Sequence, residues 1–183
     1  MVMLSSMACN VVTVNVRSIL DRNRRSKMFS DILDTLLLPA GRNACQLFCL
    51  QETWLPSECV DDAAADWRAA AGDGAWAVFS PVDANDRCAG TAILYAPRLA
   101  TNDMQLVTLI KAECGLSGRV CAANVRWHNS VIWLVSAYAP AGHPAAARAN
   151  FFHDLDVFMT DARIDDAVAV SYTHLTLPTK RIV

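Results

Sequence analysis

A short apolar run without charged residues, Ala44 to Leu50, is the strongest constraint on the fold of this 183-residue chain. Its length predicts a fully buried strand. Apolar residues recur at spacings of three and four from Ser26 to Leu38, which predicts an amphipathic helix that Pro39 and Gly41 terminate. The β-branched stretch from Asn10 to Val16 predicts an earlier strand, so the chain opens as strand, helix, strand.

The rest of the chain is predicted to consist of closely spaced strands and two further helices. One helix is predicted from Glu58 to Ala71, with Ser57 as its N-cap, and another from Ala145 to Thr160. The remaining apolar stretches predict six strands: Ala75–Ser80, Thr91–Tyr95, Met104–Ile110, Arg119–Trp127, Val131–Tyr138 and Ala167–Val170. The fourth and fifth of these are expected to form a hairpin. This order favours an α+β (mixed α/β) sandwich with helices outside mixed sheets.

Length and composition narrow the class of protein. The length favours one domain, and 54% hydrophobic with 19% charged residues excludes a disordered chain. A net charge of −2 argues against a strongly basic nucleic-acid-coating surface, although a site could still touch a few phosphates through a metal and local arginines. No apolar stretch reaches the roughly 18 residues of a membrane-spanning helix, and no basic signal-peptide region precedes the uncharged first sixteen residues. We therefore expect a soluble protein without a membrane partner.

Cysteine usage indicates the compartment. The seven cysteines form an odd set without a Cys-x-x-Cys pair or a histidine at zinc-binding spacing. Buried thiols behave as small apolar side chains, so these cysteines are predicted to be structural. Their number favours a reducing, intracellular compartment.

Glu52 is the candidate metal ligand on chemical grounds. It follows the predicted buried strand through Gln51. The carboxyl ends of strands form ligand-binding crevices in open sheets, and a carboxylate there can hold a hard cation such as Mg²⁺. On the residues alone, a strand-terminal Gln-Glu is more often a solvated strand edge or a neighbour of a helix N-cap than a metal ligand.

Three short motifs occur in order at Thr13–Ser18, Leu50–Trp54 and Ser136–Pro140. Together with Ala89–Tyr95 and Asn150–Leu155, they resemble the endonuclease/exonuclease/phosphatase family, which includes exonuclease III and pancreatic deoxyribonuclease. The resemblance is greatest to the endonuclease domain of non-long-terminal-repeat retrotransposons. It implies a four-layer sandwich of two mostly antiparallel or mixed sheets with outer helices, truncated at the C-terminus.

The resemblance also implies roles for three residues. Glu52 would coordinate Mg²⁺ or Mn²⁺, which neutralises phosphate charge and steadies the leaving oxygen during attack by water. Asn15 would hydrogen-bond the metal-binding shell and a phosphate oxygen, and Tyr138 would donate to the phosphate. Without the resemblance, Asn15 could simply cap the strand exit and Tyr138 could be a rim tyrosine.

The implied parent protein is a Mg²⁺-dependent phosphodiesterase that nicks DNA and gives retrotransposon insertion a primer end. Its implied partner is DNA or RNA, its location is nuclear, and a reverse transcriptase would follow in the intact gene. Two alternatives stay open. One is a non-catalytic fragment that binds nucleic acid weakly through Arg17, Arg22, Arg24 and Arg25, although these residues are also typical of a solvated helix start. The other is a phosphoesterase of the same fold that acts on a lipid or small phosphoester.

The chain departs from the family pattern after its last predicted strand. Where the family has Gly-Asp-Phe-Asn, this chain has Ser171-Tyr172-Thr173-His174, and the family's closing Ser-Asp-His has no counterpart. His174 does not match that histidine, and His128, His143 and His153 are expected on loops and a helix surface. We therefore expect an incomplete domain over 1–170, a foreign tail over 171–183 that resembles translated adapter sequence, exposed sheet edges with low stability, and no activity.

Overall fold

The computed structural model describes residues 11–36, 47–82, 89–97, 104–111, 116–127, 130–140, 145–164 and 167–172. In chain order its elements are β1 (Val11–Asn15), α1 (Arg22–Leu36), β2 (Leu47–Gln51), α2 (Val60–Ala71), β3 (Trp76–Ser80), β4 (Thr91–Tyr95), β5 (Met104–Lys111), β6 (Val120–Trp127), β7 (Ser130–Tyr138), α3 (Ala145–Asp161) and β8 (Ala167–Tyr172). Each predicted strand and helix is present, and within the described ranges its ends match the prediction or differ from it by a few residues.

The starts of two helices differ from the sequence-based expectation. Helix α1 begins at Arg22 rather than Ser26, because the carboxylate of Asp21 accepts a hydrogen bond from the backbone N–H of Arg24 at 2.8 Å and caps a charged first turn. The apolar period does not reach that turn. Ser57 was predicted to cap α2, but it opens a 3₁₀ turn, Ser57–Cys59, and α2 begins after it without a side-chain cap.

The strands form two mixed four-stranded sheets. Sheet 1 has the order β1-β2-β4-β3, with β1 and β2 parallel and the other pairs antiparallel. Sheet 2 has the order β5-β6-β7-β8, with β7 and β8 parallel, and it includes the predicted β6–β7 hairpin pairing. The inner faces of the sheets pack on each other through a buried apolar cluster that includes Leu47, Ile93, Cys121 and Leu134.

Helices cover the outer face of each sheet. Helices α1 and α2 lie on sheet 1, where the buried Trp67 contacts Phe29 and Phe48 edge to face, with ring centroids 5.1 and 6.0 Å apart. The indole N–H of Trp67 donates to the carbonyl of Tyr95 at 2.9 Å, which satisfies its polar atom. Helix α3 packs on sheet 2 through Phe151. The resulting helix–sheet–sheet–helix order confirms the predicted α+β four-layer sandwich.

The predictions for the domain boundary, the cysteines and membrane-spanning helices concern residues that the structure describes only in part. Strand β8 pairs with β7 as far as Tyr172, two residues beyond the boundary predicted at 170, and residues 173–183 lie outside the described part of the chain. Cys49 and Cys121 are buried free thiols and Cys59 is a partly buried one, whereas the other four cysteines lie outside the described residues. Among the residues that are described, none of the helices has the length and apolar character needed to cross a membrane.

Candidate functional site

The ends of three strands bring the predicted site residues together at one rim of the sandwich. Asn15 ends β1, Glu52 follows β2, and Tyr138 ends β7 in the other sheet. The side-chain amide of Asn15 donates to Oε1 of Glu52 at 2.7 Å, and the phenol of Tyr138 donates to the same oxygen at 2.8 Å. One carboxylate oxygen thus accepts two hydrogen bonds, one from each sheet.

The backbone at Glu52 turns its side chain toward this rim. Strand alternation would place residue 52 on the opposite face from Gln51, but Glu52 has a φ of +58°, which ends the pleat. Such a φ is costly for a residue with a side chain and needs support from its surroundings. The support includes a hydrogen bond from the backbone N–H of Ser18 to the carbonyl of Glu52 at 2.7 Å and one from Ile19 to Thr53 at 2.9 Å.

The amide of Asn15 is held in a defined orientation. Its Oδ1 accepts a hydrogen bond from the backbone N–H of Arg17 at 3.2 Å, while its Nδ2 donates to Glu52. The first contact is the local side-chain-to-backbone bond that asparagine commonly makes two residues ahead. Both contacts require the same amide orientation, so the donor side of Asn15 faces Glu52.

Two glycines connect the sheets beside the site. The N–H of Gly90 donates to the carbonyl of Gly118 at 2.6 Å, and the carbonyl of Gly90 accepts from Thr53 at 3.1 Å. Gly90 has a φ of +99°, and a Cβ there would lie 2.2 Å from Oγ1 of Thr53 and 2.9 Å from the backbone N of Trp54. Only glycine fits this close approach without a shift of the segment that follows Glu52.

Arg119 lies beside Tyr138 and was not predicted from the sequence as a functional candidate. Its guanidinium carbon lies 5.7 Å from the centre of the Tyr138 ring, and its carbonyl accepts from the backbone N–H of Tyr138 at 2.8 Å. The distance is within the range of a cation–π contact. The hairpin register could have located Arg119, since Val120 pairs with Ala137 and the preceding residue then reaches Tyr138.

A polar layer, buried at Gln51 and Ser136 and exposed at Thr13, lies beneath the three site residues. Oγ1 of Thr13 donates to Oε1 of Gln51 at 2.9 Å, and Nε2 of Gln51 donates to Oγ of Ser136 at 3.5 Å. Gln51 and Ser136 have no solvent exposure. Gln51 lies in the motif Leu50–Trp54 and Ser136 in the motif Ser136–Pro140. Their contact with each other depends on the packing of the two sheets.

The arginine cluster, which consists of Arg17 before α1 and Arg22, Arg24 and Arg25 in its first turn, divides into an ion-paired and an exposed group. Arg25 is buried and donates from its Nε and Nη2 atoms to Oδ2 of Asp66, the Nε contact measuring 2.9 Å, while Arg22 donates to Oδ1 at 3.1 Å. Burial alone would raise the pKa of Asp66, but the hydrogen bonds and charges of Arg25 and Arg22 outweigh it and hold the pKa below its usual value. Arg25 therefore ties α1 to α2, and Arg17 and Arg24 remain exposed.

The oxygen donors at the rim suit a hard divalent cation. The carboxylate of Glu52 offers oxygen atoms, and Mg²⁺ is commonly held by one or two carboxylates with water and phosphate completing its shell. Within the described ranges, no cluster of three or more His, Cys, Asp or Glu residues could enclose a metal. His153 is exposed on α3, and His128, His143 and His174 lie outside the described residues.

Comparison with known proteins identifies the fold. No family model matches the sequence, and no curated protein matches it. Solved structures do match: the catalytic domain of Xenopus laevis APE2 has a TM-score of 0.60 at 14% identity over 90% of this chain and 58% of that one. The endonuclease domain of TRAS1, a telomere-specific non-LTR retrotransposon, has a TM-score of 0.53 at 13% identity over 90% and 58%.

A third matching structure is D. rerio TDP2 complexed with a single-strand DNA product, with a TM-score of 0.54 at 13% identity over 88% of this chain and 57% of that one. The chain thus spans less than three fifths of each of these structures. With its two mixed sheets and outer helices, it has the endonuclease/exonuclease/phosphatase fold that the sequence motifs predicted.

Proposed function

We propose that this chain carries the metal- and phosphate-binding half of a Mg²⁺-dependent phosphodiesterase, and that the parent domain is a DNA endonuclease of the retrotransposon type. The observation that carries the proposal is the convergence of Asn15 and Tyr138 on one oxygen of Glu52. These residues come from three separate motifs and lie at the strand ends, where an open sheet binds ligands.

The proposed roles follow from the chemistry of each side chain. Glu52 and its neighbouring oxygens would hold Mg²⁺ or Mn²⁺, which when bound neutralises phosphate charge. Asn15 keeps the carboxylate oriented and offers an amide N–H to a phosphate oxygen. Tyr138 supplies a phenolic O–H to the charge that develops on the phosphate, and Arg119 adds a positive charge beside it.

Cleavage by this chain is expected to be very slow. The segment Ser171-Tyr172-Thr173-His174 stands where the resembled family has Gly-Asp-Phe-Asn, and we propose that the residues from 171 onward are foreign to the domain. Loss of general-base activation of water alone costs about 10² to 10⁴-fold in rate. We also propose that the intact protein is nuclear and that a reverse transcriptase follows the endonuclease domain in the same chain.

Metal binding is the direct test of the proposed site. Titration of the chain with Mn²⁺, followed by the EPR signal of free Mn²⁺, should detect binding that Glu52→Ala abolishes. Glu58→Ala is the matched control, because Glu58 is an exposed carboxylate in the 3₁₀ turn. Equal Mn²⁺ binding by the wild-type chain and Glu52→Ala would overturn the proposal.

Plasmid nicking with Mg²⁺ tests the proposed lack of cleavage. We expect nicking at background level, and robust nicking that depends on Glu52 would contradict the proposed inactivity while supporting the site. Salt-dependent DNA binding without cleavage would favour the weak-binding alternative through the exposed Arg17 and Arg24. Hydrolysis of a lipid or small phosphoester in preference to DNA would favour the alternative substrate class.

A further inference from the structure

We propose that Gln51 is a positioning residue, and that the bridge Thr13–Gln51–Ser136, which is buried at Gln51 and Ser136 and exposed at Thr13, sets the geometry of the site above it. This inference rests on the proposed function, because it concerns the same site. Each residue of the bridge lies on a strand that carries a site residue: Thr13 precedes Asn15 by two positions, Gln51 directly precedes Glu52, and Ser136 precedes Tyr138 by two positions.

Strand alternation places the bridge directly below the site. Residues two apart on a strand point to the same face, so Thr13 lies below Asn15 on β1 and Ser136 below Tyr138 on β7. Gln51 pairs with Asn15 in the parallel register of β1 and β2. The amide of Gln51 therefore reaches both neighbours, accepting from Thr13 at 2.9 Å and donating to Ser136 at 3.5 Å.

The position of Gln51 is one where an apolar residue would be expected. Its side chain has no solvent exposure and lies on the same face of β2 as Leu47 and Cys49, which belong to the apolar cluster between the sheets. Burial of an amide is unfavourable unless its polar atoms are hydrogen-bonded. Both ends of this amide have a hydrogen-bond partner, one in each sheet. A buried amide with both ends hydrogen-bonded favours one relative position of the two sheets.

The site needs such directional contacts between the sheets. The hydrogen bond from Tyr138 to Glu52 spans the two sheets over 2.8 Å, and a small sliding of one sheet on the other would break it. Apolar contacts such as those of Ile93 and Leu134 are not directional and do not by themselves fix such a shift. The bridge lies one layer below and joins the same three strands, so it opposes that sliding.

The first readout is independent of metal binding. In the metal-free protein, the side-chain NH₂ signal of Asn15, assigned by its loss in Asn15→Asp, should be shifted and slowly exchanging because of the bond to Glu52. In Gln51→Met, which keeps the length but removes the amide, this signal should move to the position of a solvated asparagine. A smaller shift is expected for Ser136→Ala, because the contact of Ser136 with Gln51 is the longer one.

Thr91→Val is the matched control. Thr91 is also fully buried and also reaches from sheet 1 to sheet 2, where its hydroxyl contacts the sulfur of Cys121 at 3.6 Å, but it lies on none of the three site strands. It should lower thermal stability without a change in the Asn15 signal. An unchanged signal in Gln51→Met, or an equal change in Thr91→Val, would overturn the inference.

Mn²⁺ affinity is the second readout and separates this inference from the proposed function. Gln51→Met should weaken Mn²⁺ binding by about 10-fold, as residues that orient metal ligands commonly do, while Thr91→Val leaves it unchanged. If the wild-type chain binds Mn²⁺ no better than Glu52→Ala, the proposed function fails, but the Asn15 signal still decides whether Gln51 positions the rim. If Mn²⁺ binds through Glu52 and Gln51→Met leaves both readouts unchanged, only the present inference fails.

Discussion

Tyr138 in sheet 2 donates its phenolic hydrogen bond to Glu52 beyond the end of sheet 1, over 2.8 Å. The same Glu52 oxygen accepts from Asn15 at 2.7 Å, so the strand end of one sheet is held by residues of both. The proposed site therefore exists only where the two sheets meet. Changes that separate the sheets should damage the site before they unfold the layers.

The contact between Tyr138 and Glu52 should be measurable as a coupling energy. Tyr138→Phe removes the donor and keeps the ring, and Glu52→Ala removes the acceptor. Because a hydrogen bond to a carboxylate contributes about 1.5 to 3 kcal/mol, and less when partly exposed, the two effects on the free energy of unfolding should be non-additive by about 1 to 2 kcal/mol. Urea unfolding of the wild-type chain, both single variants and the double variant gives the value. Strict additivity would mean that the bond does not stabilise the metal-free fold.

Gly90 and Gly72 offer a matched pair for the close approach beside the site. Both have a φ near +90°, but a Cβ at Gly72 meets nothing within 4 Å, whereas at Gly90 it would lie 2.2 Å from Oγ1 of Thr53. Gly72→Ala should cost about 1 to 2 kcal/mol through its backbone conformation alone. Gly90→Ala should cost about 2 to 4 kcal/mol and also weaken Mn²⁺ binding, since it displaces the segment after Glu52.

Equal losses for the two glycine variants in a thermal or urea unfolding experiment would contradict this account. Equal losses would mean that the segment beside Gly90 shifts at little cost in the free energy of unfolding.

The pair formed by Arg25 and Asp66 should be the more important ion pair of the arginine cluster. Arg25 has 3% of its side chain exposed, so Asp66→Ala leaves a buried guanidinium without its counter-charge and should lower the free energy of unfolding by about 3 kcal/mol. Arg22 has 74% of its side chain exposed, and Arg22→Ala should cost at most about 1 kcal/mol. Similar losses for both variants would show that Arg25 finds another partner after Asp66 is removed.

Asp66 should also make stability depend on pH on the acid side. Its pKa in the folded chain lies below its usual value, since the arginine contacts outweigh the effect of burial, so the unfolded chain binds a proton at this group first as the pH falls. The stabilisation is present above about pH 4 and is lost as the pH falls through the folded pKa. The difference in unfolding free energy between wild type and Asp66→Ala should narrow between about pH 5 and pH 3. A constant difference over that range would contradict the lowered pKa.

Local patterns in the sequence predicted most elements. Strand β4 has the predicted ends, Thr91 and Tyr95, because an apolar stretch without charges between turn-forming residues leaves few alternatives. The start of α1 was wrong by four residues, because Asp21 caps a charged turn outside the apolar period. The prediction that Ser57 caps α2 was wrong, because Ser57 opens a 3₁₀ turn that precedes the helix. Both errors lie at helix ends, which the apolar period does not define.

The sequence by itself determined the order of strands and helices and pointed to Asn15, Glu52 and Tyr138, because periodicity and short motifs are local properties of the chain. Only the tertiary structure decided that Glu52 receives hydrogen bonds from both sheets and that Gln51 forms a buried bridge beneath it. It also decided that Arg25 belongs to an ion pair with Asp66, 41 positions away. These contacts join residues far apart in the chain, and their existence depends on how two sheets and two helices pack against each other.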